Sequence, residues 1–204
     1  MRTAPLTYEY DLYEQGCLMI GGIDESGRGP LAGPVAACVV ILPQGLVIEG
    51  VNDSKMLSPK NRGLLASVIK EKAVDYAVGW ADVDLIDEVN ILKATFIAMA
   101  RAIKGLSRLP DMILIDGLRA SYETLLPDVP RMFIKRGDAA SHSIAAASII
   151  AKTERDKYML KLHEKYKDYG FDTNKGYGTF KHMQALRKYG ATPYHRQSFI
   201  KKII

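Results

Sequence analysis

The chain has 204 residues, of which 48% are hydrophobic, 25% charged and 8% aromatic, a composition typical of a soluble globular protein with a full apolar core. Because no apolar run reaches about 18 residues and the N-terminal MRTAPLTYEYDLYEQ contains acidic residues without an apolar stretch, we expect no transmembrane helix, no membrane contact and no signal peptide. Two cysteines, Cys17 and Cys38, are too few for a disulfide framework and predict buried, reduced thiols in a cytoplasmic protein.

The net charge of +5 is unevenly distributed along the chain. Residues 131–204 contain 16 Lys or Arg and 6 Asp or Glu, a balance of +10, whereas residues 1–130 contain 12 and 17, a balance of −5. A basic C-terminal third on a mildly acidic body predicts a surface that binds a polyanion such as nucleic acid. A lysine-rich helix that faces only solvent would produce the same charge.

The first predicted elements are two strands and a helix. Residues 17–24 (CLMIGGID) form a strand that ends at carboxylates, and residues 33–42 (GPVAACVVIL) form a second strand, buried on both faces. Only a glycine-rich turn separates them, which predicts an antiparallel hairpin. Ser58 and Pro59 then begin a helix, PKNRGLLASVIKEKA. Its predicted apolar face consists of Leu64, Leu65, Val68 and Ile69.

The remaining elements alternate between strands and helices. Strands are predicted at residues 74–83, 111–117 and 131–138, and the last two end in Asp116 and Asp138. Helices are predicted at residues 84–103 (closed by Gly105), at residues 142–166, and at residues 180–189 between Thr179 and Gly190.

This order of elements predicts an α/β fold, with a mixed five-stranded sheet flanked by helices. We expect the later strands to be largely parallel, with the hairpin at one side of the sheet. The long third helix has a face of small residues, which allows close approach of another backbone or a ligand. We expect a main domain at residues 1–168 and a small C-terminal helical extension at residues 169–204 packed on it.

The glycine-rich stretch GGIDESGRGPLAG is compatible with two kinds of site. Gly27, Gly29 and Gly33 nearly fit the dinucleotide-binding pattern, which requires a helix after the glycines to hold the pyrophosphate. Here Pro30 and Pro34 interrupt the pattern, a strand follows it, and the Lys-Ser/Thr pair of a P-loop is missing. A nucleotide-cofactor site is therefore disfavoured.

The acidic residues instead favour a metal site. Asp24 with Glu25, Asp116 and Asp138 each follow a hydrophobic run predicted as a strand, and ligand sites of open α/β sheets lie beyond the carboxyl ends of strands. Three or four clustered carboxylates repel one another unless a cation or a proton compensates them. Oxygen ligands without Cys or His favour Mg²⁺ or Mn²⁺, and two such ions about 3.5–4 Å apart can promote phosphodiester cleavage. Each Asp taken alone is equally compatible with a turn or a helix cap.

Five sequence blocks occur in a defined order along most of the chain. They are IDESGRGPLAGPV, NDSKMLSPKNR, ILIDG, KRGDAASHSIAAASIIAKTERD and NKGYGTFKH. In these blocks the chain resembles the ribonuclease HII family, the type 2 branch of ribonuclease H. The resemblance implies a ribonuclease H-like fold, Mg²⁺ or Mn²⁺ dependence and hydrolysis of RNA in RNA–DNA hybrids. It also implies incision 5′ of a ribonucleotide embedded in duplex DNA, which leaves 3′-hydroxyl and 5′-phosphate ends.

The resemblance assigns a catalytic, metal-binding set of carboxylates to Asp24, Glu25, Asp116 and Asp138. Asp24 would bridge two ions, of which one positions the attacking water and the other stabilises the leaving 3′ oxygen. Adjacent residues on a regular strand face opposite ways. We therefore expect the strand to end or bulge at Asp24 and Glu25, or Glu25 to use its backbone carbonyl.

The resemblance also assigns substrate-binding residues. Gly27, Arg28 and Gly29 would recognise the 2′-hydroxyl through backbone groups that no Cβ obstructs, and Arg28 would bind the neighbouring phosphate. Tyr177 would stack on the deoxyribose after the ribonucleotide and so favour an RNA-to-DNA junction. The alternatives are an Arg28 that pairs with a nearby carboxylate and a Tyr177 that only covers the core.

Other residues of the matching blocks have weaker assignments. Lys55 and Lys152 are candidates for phosphate contacts, although both are also compatible with a purely solvated position. Ser143 or Ser148 either faces the site from the long helix or only fills its face. Asp156 is no metal candidate, and we expect it to pair with cations on the helix surface.

The four histidines have no metal-ligand spacing and are expected to be structural or on the surface: His142, His163, His182 and His195. Rival hypotheses are another ribonuclease H-fold nuclease, a junction resolvase or a ribonuclease HIII-like enzyme, and a non-catalytic nucleic-acid-binding protein. Block order argues against the resolvase, and the wide spacing of Asp116 and Asp138 argues against the ribonuclease HIII-like enzyme. The intact set of four carboxylates argues against the non-catalytic binder. We expect a monomer, whose tail FIKKII either docks on a sliding clamp or packs on the body as a last helix.

Overall fold

A five-stranded sheet forms the centre of the computed structural model, which describes residues 3–201 and 203. The strands are β1 (Ile20–Ser26), β2 (Val35–Ile41), β3 (Asp75–Ala81), β4 (Met112–Asp116) and β5 (Arg131–Ile134). Their spatial order is β3-β2-β1-β4-β5, with β1 antiparallel to β2 and parallel to β4. The predicted mixed, five-stranded sheet is confirmed.

Helices cover both faces of this sheet. They are α1 (Thr7–Glu14), α2 (Pro59–Lys72), α3 (Val83–Val89), α4 (Ile91–Lys104), α5 (Gly137–Ala140), α6 (His142–Lys165), α7 (Phe171–Asn174), α8 (Phe180–Tyr189) and α9 (Gln197–Ile200). Within the described residues, none of these helices combines the length and the apolar character that crossing a bilayer requires.

The hairpin of β1 and β2 lies in the middle of the sheet, and the prediction that it lies at one side is wrong. β3 follows the crossover helix α2 but pairs antiparallel with β2, so that only β4 and β5 extend the sheet in parallel from β1. The central position of β2 explains its unbroken apolar sequence, because all seven of its residues are buried.

Two apolar layers hold the helices to the sheet. On one face, α4 contributes Phe96, Met99 and Ile103 to a core with Ile23 and Ile113. On the other face, α6 and α2 pack on β2 through a cluster rich in alanine. Complete burial of each large apolar side chain stabilises the fold by roughly 1.5–3 kcal/mol.

The small residues of α6 allow the close approach that the sequence predicts. A Cβ atom added to Gly22 of β1 would lie 2.1 Å from the carbonyl carbon of Ser143 and 2.3 Å from the nitrogen of Ile144. Such distances are far inside van der Waals contact, so any side chain at Gly22 would push α6 away from the sheet. The position of α6 relative to the end of β1 therefore depends on this glycine.

The predicted ends of two helices are confirmed. The Ser58 hydroxyl accepts a hydrogen bond from the Asn61 N–H (3.2 Å) at the start of α2. The Thr179 hydroxyl caps α8, which ends at Gly190. Leu64, however, is 61% exposed, so its predicted place on the buried face of α2 is wrong. Arg62, at a position that a hydrophobic pattern does not mark, is buried instead.

The helix predicted at residues 84–103 is two helices, α3 and α4, because Asn90 adopts a left-handed φ of 71°. The Asn90 side chain accepts hydrogen bonds from the N–H groups of Leu92 and Lys93, which begins α4. Asparagine tolerates this conformation better than most residues and is also a favoured N-cap. The apolar periodicity continues across the break and therefore hides it.

Helix α1 has no counterpart among the predicted elements. Its sequence TYEYDLYE has little amphipathic pattern, and contacts with the body stabilise it. The buried Glu9 Oε1 accepts hydrogen bonds from the Ser141 hydroxyl (2.6 Å) and from the Ser143 N–H (2.9 Å) and hydroxyl (2.8 Å). This carboxylate therefore lies at the N-terminus of α6, where a negative charge is favourable.

The C-terminal helices pack on the far half of α6. Their apolar cluster joins Met159 and Leu162 of α6 to Phe171 and Leu186 of α7 and α8. The division into residues 1–168 and residues 169–204 stays a prediction.

Candidate active site

A cleft of about 230 Å³ lies at the carboxyl edge of β1 and β4. It is lined by Asp24, Glu25, Ser26, Gly27, Arg28, Gly29, Ser54, Lys55, Asp116, Ser148, Lys152 and Tyr177. The parallel pairing of β1 with β4 places the ends of the two strands side by side, and three acidic side chains meet there. A cleft beyond the carboxyl ends of parallel strands is the usual ligand site of such a sheet.

Asp24 and Glu25 lie on a regular strand, so the alternative of a strand end or bulge at this point is wrong. The other alternative, a metal contact through the Glu25 backbone carbonyl, stays a prediction. The pairing with β2 continues through Asp24 with Cys38, Glu25 with Ala37 and on to Ser26. The Asp24 Oδ1 atom accepts a hydrogen bond from the Glu25 N–H at 2.7 Å. The turn comes at Gly27, where φ is 101°, so the cleft extends around the end of the strand and includes both carboxylates.

Asp116 ends β4 as predicted, and its Oδ1 accepts a hydrogen bond from the Gly137 N–H at 2.6 Å. Asp138 does not end a strand, which corrects the prediction for residues 131–138. β5 stops at Ile134, the chain turns through a left-handed Arg136, and Asp138 lies buried in the short helix α5. The hydrogen bond from Gly137 to Asp116 keeps the two aspartates close together.

Burial and mutual repulsion raise the pKa values of three carboxyl groups. The pKa of Asp24 is raised well above its usual value by burial, then by the charges of Glu25 and Asp116. Burial raises the pKa of Glu25, partly offset by Arg28. Burial and the charge of Asp138 raise the pKa of Asp116. Such a set of oxygen donors fits hard divalent cations, which would relieve the repulsion.

Lys55 is the cation nearest to Asp138. Its Nζ lies 3.3 Å from Asp138 Oδ2 and 3.9 Å from Asp53 Oδ1. Burial by itself would lower the pKa of Lys55, but the charges of Asp138 and Asp53 outweigh it and raise the pKa. The side chain is largely exposed at the mouth of the cleft, so its charge is available to an anion that enters.

Across residues 3–201 and 203, no three His, Cys, Asp or Glu side chains are grouped closely enough to hold one ion.

Arg28 and Tyr177 both line the cleft beside the glycine turn. The Arg28 Nη1 lies 3.3 Å from Glu25 Oε1, which is the pairing with a carboxylate that the sequence left open, and the side chain is half exposed. Tyr177 is 46% exposed, and a Cβ on Gly29 would lie 3.5 Å from its ring. The ring therefore forms a wall of the cleft next to the glycine turn and does not simply cover the core.

Two fully buried arginines, Arg155 and Arg196, bind the backbone of this turn, and neither contact is predicted from the sequence. Arg196 donates from Nη2 to the carbonyl of Gly27 (2.6 Å), from Nη1 to that of Arg28 (2.9 Å) and from Nε to that of Gly33 (3.0 Å). Burial, then the charge of Arg155, lowers the pKa of Arg196 to about 9. It is therefore still charged at neutral pH.

Arg155 of α6 also binds backbone carbonyls beside the glycine turn. It donates from Nε to the carbonyl of Pro34 (3.0 Å), from Nη2 to that of Ala32 (3.2 Å) and from Nη1 to that of Lys175 (3.0 Å). A Cβ on Gly27 would lie 2.0 Å from the Arg155 Nε, so this glycine is required by the arginine beneath it. No local sequence pattern indicates that an arginine serves distant carbonyls, because the contacts depend on the fold.

Lys152 lines the cleft, but its ammonium is already paired. Its Nζ lies 2.6 Å from Asp156 Oδ1, and Arg62 Nη2 lies 2.9 Å from Asp156 Oδ2. The predicted pairing of Asp156 with a cation of its own helix, Lys152, is confirmed, but Asp156 is buried, so its predicted place on the helix surface is wrong. Its second partner is Arg62 of α2 and not a neighbour on α6.

The serines and histidines have separate positions. Ser148 lines the cleft and its hydroxyl lies 3.0 Å from that of Ser54, whereas Ser143 binds Glu9 away from the cleft. Three of the four histidines are buried and His163 lies 3.4 Å from Asp172, which agrees with structural or surface positions. Cys38 is buried as predicted, but Cys17 is only half buried.

Comparisons with known proteins agree on one family. The model of the family described as Ribonuclease HII matches residues 21–202. A Ribonuclease HII of Clostridioides difficile is 50% identical over 197 residues, which cover 97% of this chain and 76% of that protein. The crystal structure of ribonuclease H2 from Pyrococcus horikoshii is similar with a TM-score of 0.75 and 28% identity, covering 91% of this chain and 96% of the other. The ribonuclease HII in a complex with PCNA from Archaeoglobus fulgidus has a TM-score of 0.71 and 26% identity, covering 90% and 95%.

Proposed function

The chain belongs to the ribonuclease HII family and is a nuclease of ribonuclease H type, and from that premise we propose that it incises duplex DNA 5′ of embedded ribonucleotides. The same cleft would cut the RNA of RNA–DNA hybrids. The observation that supports this proposal is the juxtaposition of the acidic strand ends with the glycine turn and Tyr177 in one cleft. Chemistry and sugar recognition would then act on the same nucleotide.

The carboxylates Asp24, Glu25, Asp116 and Asp138 are the residues that we propose as metal ligands. Two Mg²⁺ or Mn²⁺ ions bound there would supply an activated water and stabilise the leaving 3′ oxygen, which yields 3′-hydroxyl and 5′-phosphate ends. Within the chain, the Glu25 N–H donates to Asp24 Oδ1 and the Gly137 N–H donates to Asp116 Oδ1, so two of the four carboxylates are oriented before any ligand arrives. Lys55, next to Asp138, adds a positive charge that attracts the phosphate.

In this proposal, the sugar is recognised by the wall of the cleft opposite the carboxylates, which consists of residues 27–29 and Tyr177. We assign to residues 27–29 the contact with the 2′-hydroxyl, which both donates and accepts hydrogen bonds and distinguishes RNA from DNA. Arg28 would exchange Glu25 for a substrate phosphate, since a guanidinium binds either oxyanion with the same fork of donors. Tyr177 would pack against the following deoxyribose, where an added hydroxyl would be disfavoured. Lys152 would add positive charge near the substrate phosphates without contacting them directly, because its ammonium is already paired with Asp156.

The decisive experiment uses a DNA duplex with one embedded ribonucleotide. We expect a single nick 5′ of that ribonucleotide in the presence of Mg²⁺ or Mn²⁺, with a 3′-hydroxyl on the upstream fragment, and no nick in EDTA or on the all-DNA duplex. Cleavage of the all-DNA duplex, or no metal-dependent nick, would refute the proposal. A second test is Asp138→Asn, for which near-normal turnover with Mg²⁺ would remove Asp138 from the metal site.

We also propose that the protein is a monomer that docks on a sliding clamp through its tail, residues 199–204, as the complex of the archaeal relative with PCNA suggests. Residues 202 and 204 of this tail lie outside the described residues. Phe199 and Ile200 pack on the body, and Arg196 lies 5.1 Å from the Phe199 ring centroid. Docking would therefore use the last residues or require α9 to detach. Sedimentation with and without a clamp tests both statements.

A further inference from the structure

Two histidines that the proposed mechanism does not use face each other beneath Tyr177. His182 and His195 are fully buried, and their Nε2 atoms are 2.9 Å apart. The rings of Tyr169 and Phe171 pack against both imidazoles. Burial, followed by the proximity of His182, lowers the pKa of His195 to about 4, and burial lowers the pKa of His182. Both rings are therefore neutral at pH 7.

The hydrogen bonds at the two ends of this pair fix where each proton lies. At one end, the Thr192 N–H can only donate, so the His195 Nδ1 that it reaches at 2.9 Å must accept. The proton of His195 is then on Nε2 and is donated to His182 Nε2. At the other end, His182 Nδ1 lies 2.8 Å from the Tyr177 carbonyl, which can only accept. Both ends thus require the same direction of donation, from Thr192 through the two rings to Tyr177.

The segment that contains His195 is itself joined to the glycine turn. His195 forms a β-bridge with Ala32, and the N–H groups of Arg196 and Gly33 donate to Leu31 and Tyr194 respectively. On the opposite side, the Leu31 N–H donates to the Gly176 carbonyl at 2.8 Å. The pair consequently connects the two parts of the same wall, since the segment of His195 is bonded to the glycine-rich turn and His182 to Tyr177.

We propose that the His182–His195 pair is a positioning device that fixes Tyr177 relative to the glycine turn and thereby sets how strongly the protein prefers a deoxyribose after the ribonucleotide. This inference rests on the proposed contact between Tyr177 and that sugar. His182 and His195 touch no substrate and act through the backbone. The Tyr177 carbonyl also accepts from the Thr179 N–H at 2.8 Å, so loss of the imidazole donor loosens the tyrosine without releasing it.

The matched variants are His182→Asn and His182→Gln. An asparagine amide takes the place of Nδ1 and still donates to the Tyr177 carbonyl, whereas a glutamine amide takes the place of Nε2 and reaches only His195. The readout is the ratio of kcat/KM for one embedded ribonucleotide to kcat/KM for the same duplex with a second ribonucleotide after the first. We expect His182→Gln to lower this ratio about three- to tenfold and His182→Asn to keep it within about twofold, as one hydrogen bond implies.

His142→Gln is the control for a merely structural effect. His142 is also buried, accepts from the Ile48 N–H and lies 3.0 Å from the Ala4 carbonyl through Nδ1, but it does not contact the cleft. We expect it to lower the melting temperature without changing the ratio. Equal ratios for His182→Asn and His182→Gln, or an equal fall for His142→Gln, would overturn the inference.

Two measurements separate this inference from the proposed function. If Tyr177→Ala leaves the ratio unchanged, the sugar contact itself is wrong. If Tyr177→Ala lowers the ratio and His182→Gln does not, only the positioning function is wrong. Should the glutamine variant fail to fold, imidazole ¹⁵N spectra of the unmodified protein at pH 7 decide: we expect His195 protonated on Nε2 and His182 on Nδ1, and the opposite tautomers or a charged ring would contradict the device.

Discussion

On the acidic side of the cleft, like charges are crowded together: Asp24, Glu25 and Asp116 line it, and the charge of Asp138 acts on Asp116 from outside that lining. On the recognition side that we propose (residues 27–29 and Tyr177), buried donors bind the backbone. Burial, and after it the charges of neighbouring carboxylates, raises the pKa values of Asp24, Glu25 and Asp116, while Arg28 offsets part of the effect at Glu25. On the recognition side the guanidinium groups of Arg155 and Arg196 each bind three carbonyls.

The difference suggests a physical basis for the two tasks that we propose for one cleft. A cation bound on the acidic side would relieve the repulsion there, so these residues would favour ligand binding at the expense of stability. The recognition side has its polar groups satisfied within the fold, so its shape is set before substrate arrives. Substitutions on the two sides should therefore have opposite effects on the stability of the ligand-free protein.

The largest expected effect comes from Asp24→Asn. We expect kcat on an RNA–DNA hybrid to fall by at least about 1,000-fold, because several kcal/mol of charge stabilisation are lost. The free energy of unfolding in EDTA should stay the same or rise by about 1 kcal/mol, since a buried repulsive charge is removed. Kinetics with Mg²⁺ and urea unfolding in EDTA measure the two quantities.

Asp111→Asn is the matched control for that variant. The Asp111 carboxylate accepts from the N–H groups of Leu18 and Met19, and these bonds lower its pKa. Its loss should reduce stability and leave kcat unchanged. If Asp24→Asn proved as destabilising as Asp111→Asn, the idea that the carboxylates of the acidic side repel one another in the free protein would be wrong.

On the recognition side, Arg196→Lys should cost about 2–3 kcal/mol of stability, because a lysine retains the charge but cannot bind three carbonyls at once. We expect kcat/KM for an embedded ribonucleotide to fall about tenfold. Arg131→Lys makes the same change at a distance, since Arg131 donates to the carbonyls of Val129, Glu123 and Pro127. It should affect stability alone; a similar loss of incision in both variants would argue against a specific function of Arg196.

The pH dependence of stability sharpens the comparison, because the two sides respond with opposite sign. His195 has a folded pKa of about 4 against roughly 6.5 in the unfolded chain. The unfolded chain therefore binds more protons in this window, and stability decreases by about 3 kcal/mol as the pH falls from roughly 6.5 to 4. The raised pKa of Asp24 has the opposite effect on stability. As the pH falls, the Asp24 carboxylate takes up a proton in the folded protein before it does so in the unfolded chain, and this uptake stabilises the fold.

Urea unfolding in EDTA between pH 7 and pH 4 tests this pair of contributions. His195→Gln should flatten the loss of stability over that range, whereas Asp24→Asn should steepen it. Parallel curves for wild type and both variants would show that neither group titrates as the structure implies.

The smallest expected effect is the difference in KM between variants of the two lysines of the cleft, Lys55 and Lys152. Lys55→Met should raise KM for a hybrid about tenfold and reduce the salt slope of log kcat/KM by about one, because the exposed ammonium faces incoming phosphates. Lys152→Met should change KM by less than about threefold, since Asp156 already binds that ammonium. A reversed order would show that substrate displaces Lys152 from Asp156.

Residue type and local pattern were sufficient to predict the five strands of a mixed sheet, the long helix α6 and the caps at Ser58 and Thr179, although not the order of the strands. They were also sufficient to propose the acidic residues, because carboxylates after apolar runs are visible without any knowledge of the fold. Asp116 illustrates this best, as it ends β4 where the pattern predicts. Asp138 shows the limit of this approach, since hydrophobic periodicity does not indicate a left-handed residue such as Arg136 or a helix of only four residues.

The supports of the recognition side could not be predicted. Arg155 and Arg196 are charged residues at buried positions, and their partners are carbonyls, which every residue possesses. The pairing of β3 with β2 was likewise missed, because both possible positions of an apolar strand produce the same sequence pattern. In each case the decisive contacts join residues far apart in the chain, and only the folded structure brings them together.

The long sequence separation between the glycine turn and Arg196 has a consequence for how the protein matures during synthesis. All four acidic residues have been made by residue 138, whereas the carbonyls of Gly27 and Arg28 gain their guanidinium partner only when residue 196 is in place. Contacts of such long range form late. Discrimination against DNA would thus be the last property that a nascent chain acquires, and a chain truncated after residue 190 would keep its acidic cluster without the restraint on what it cuts.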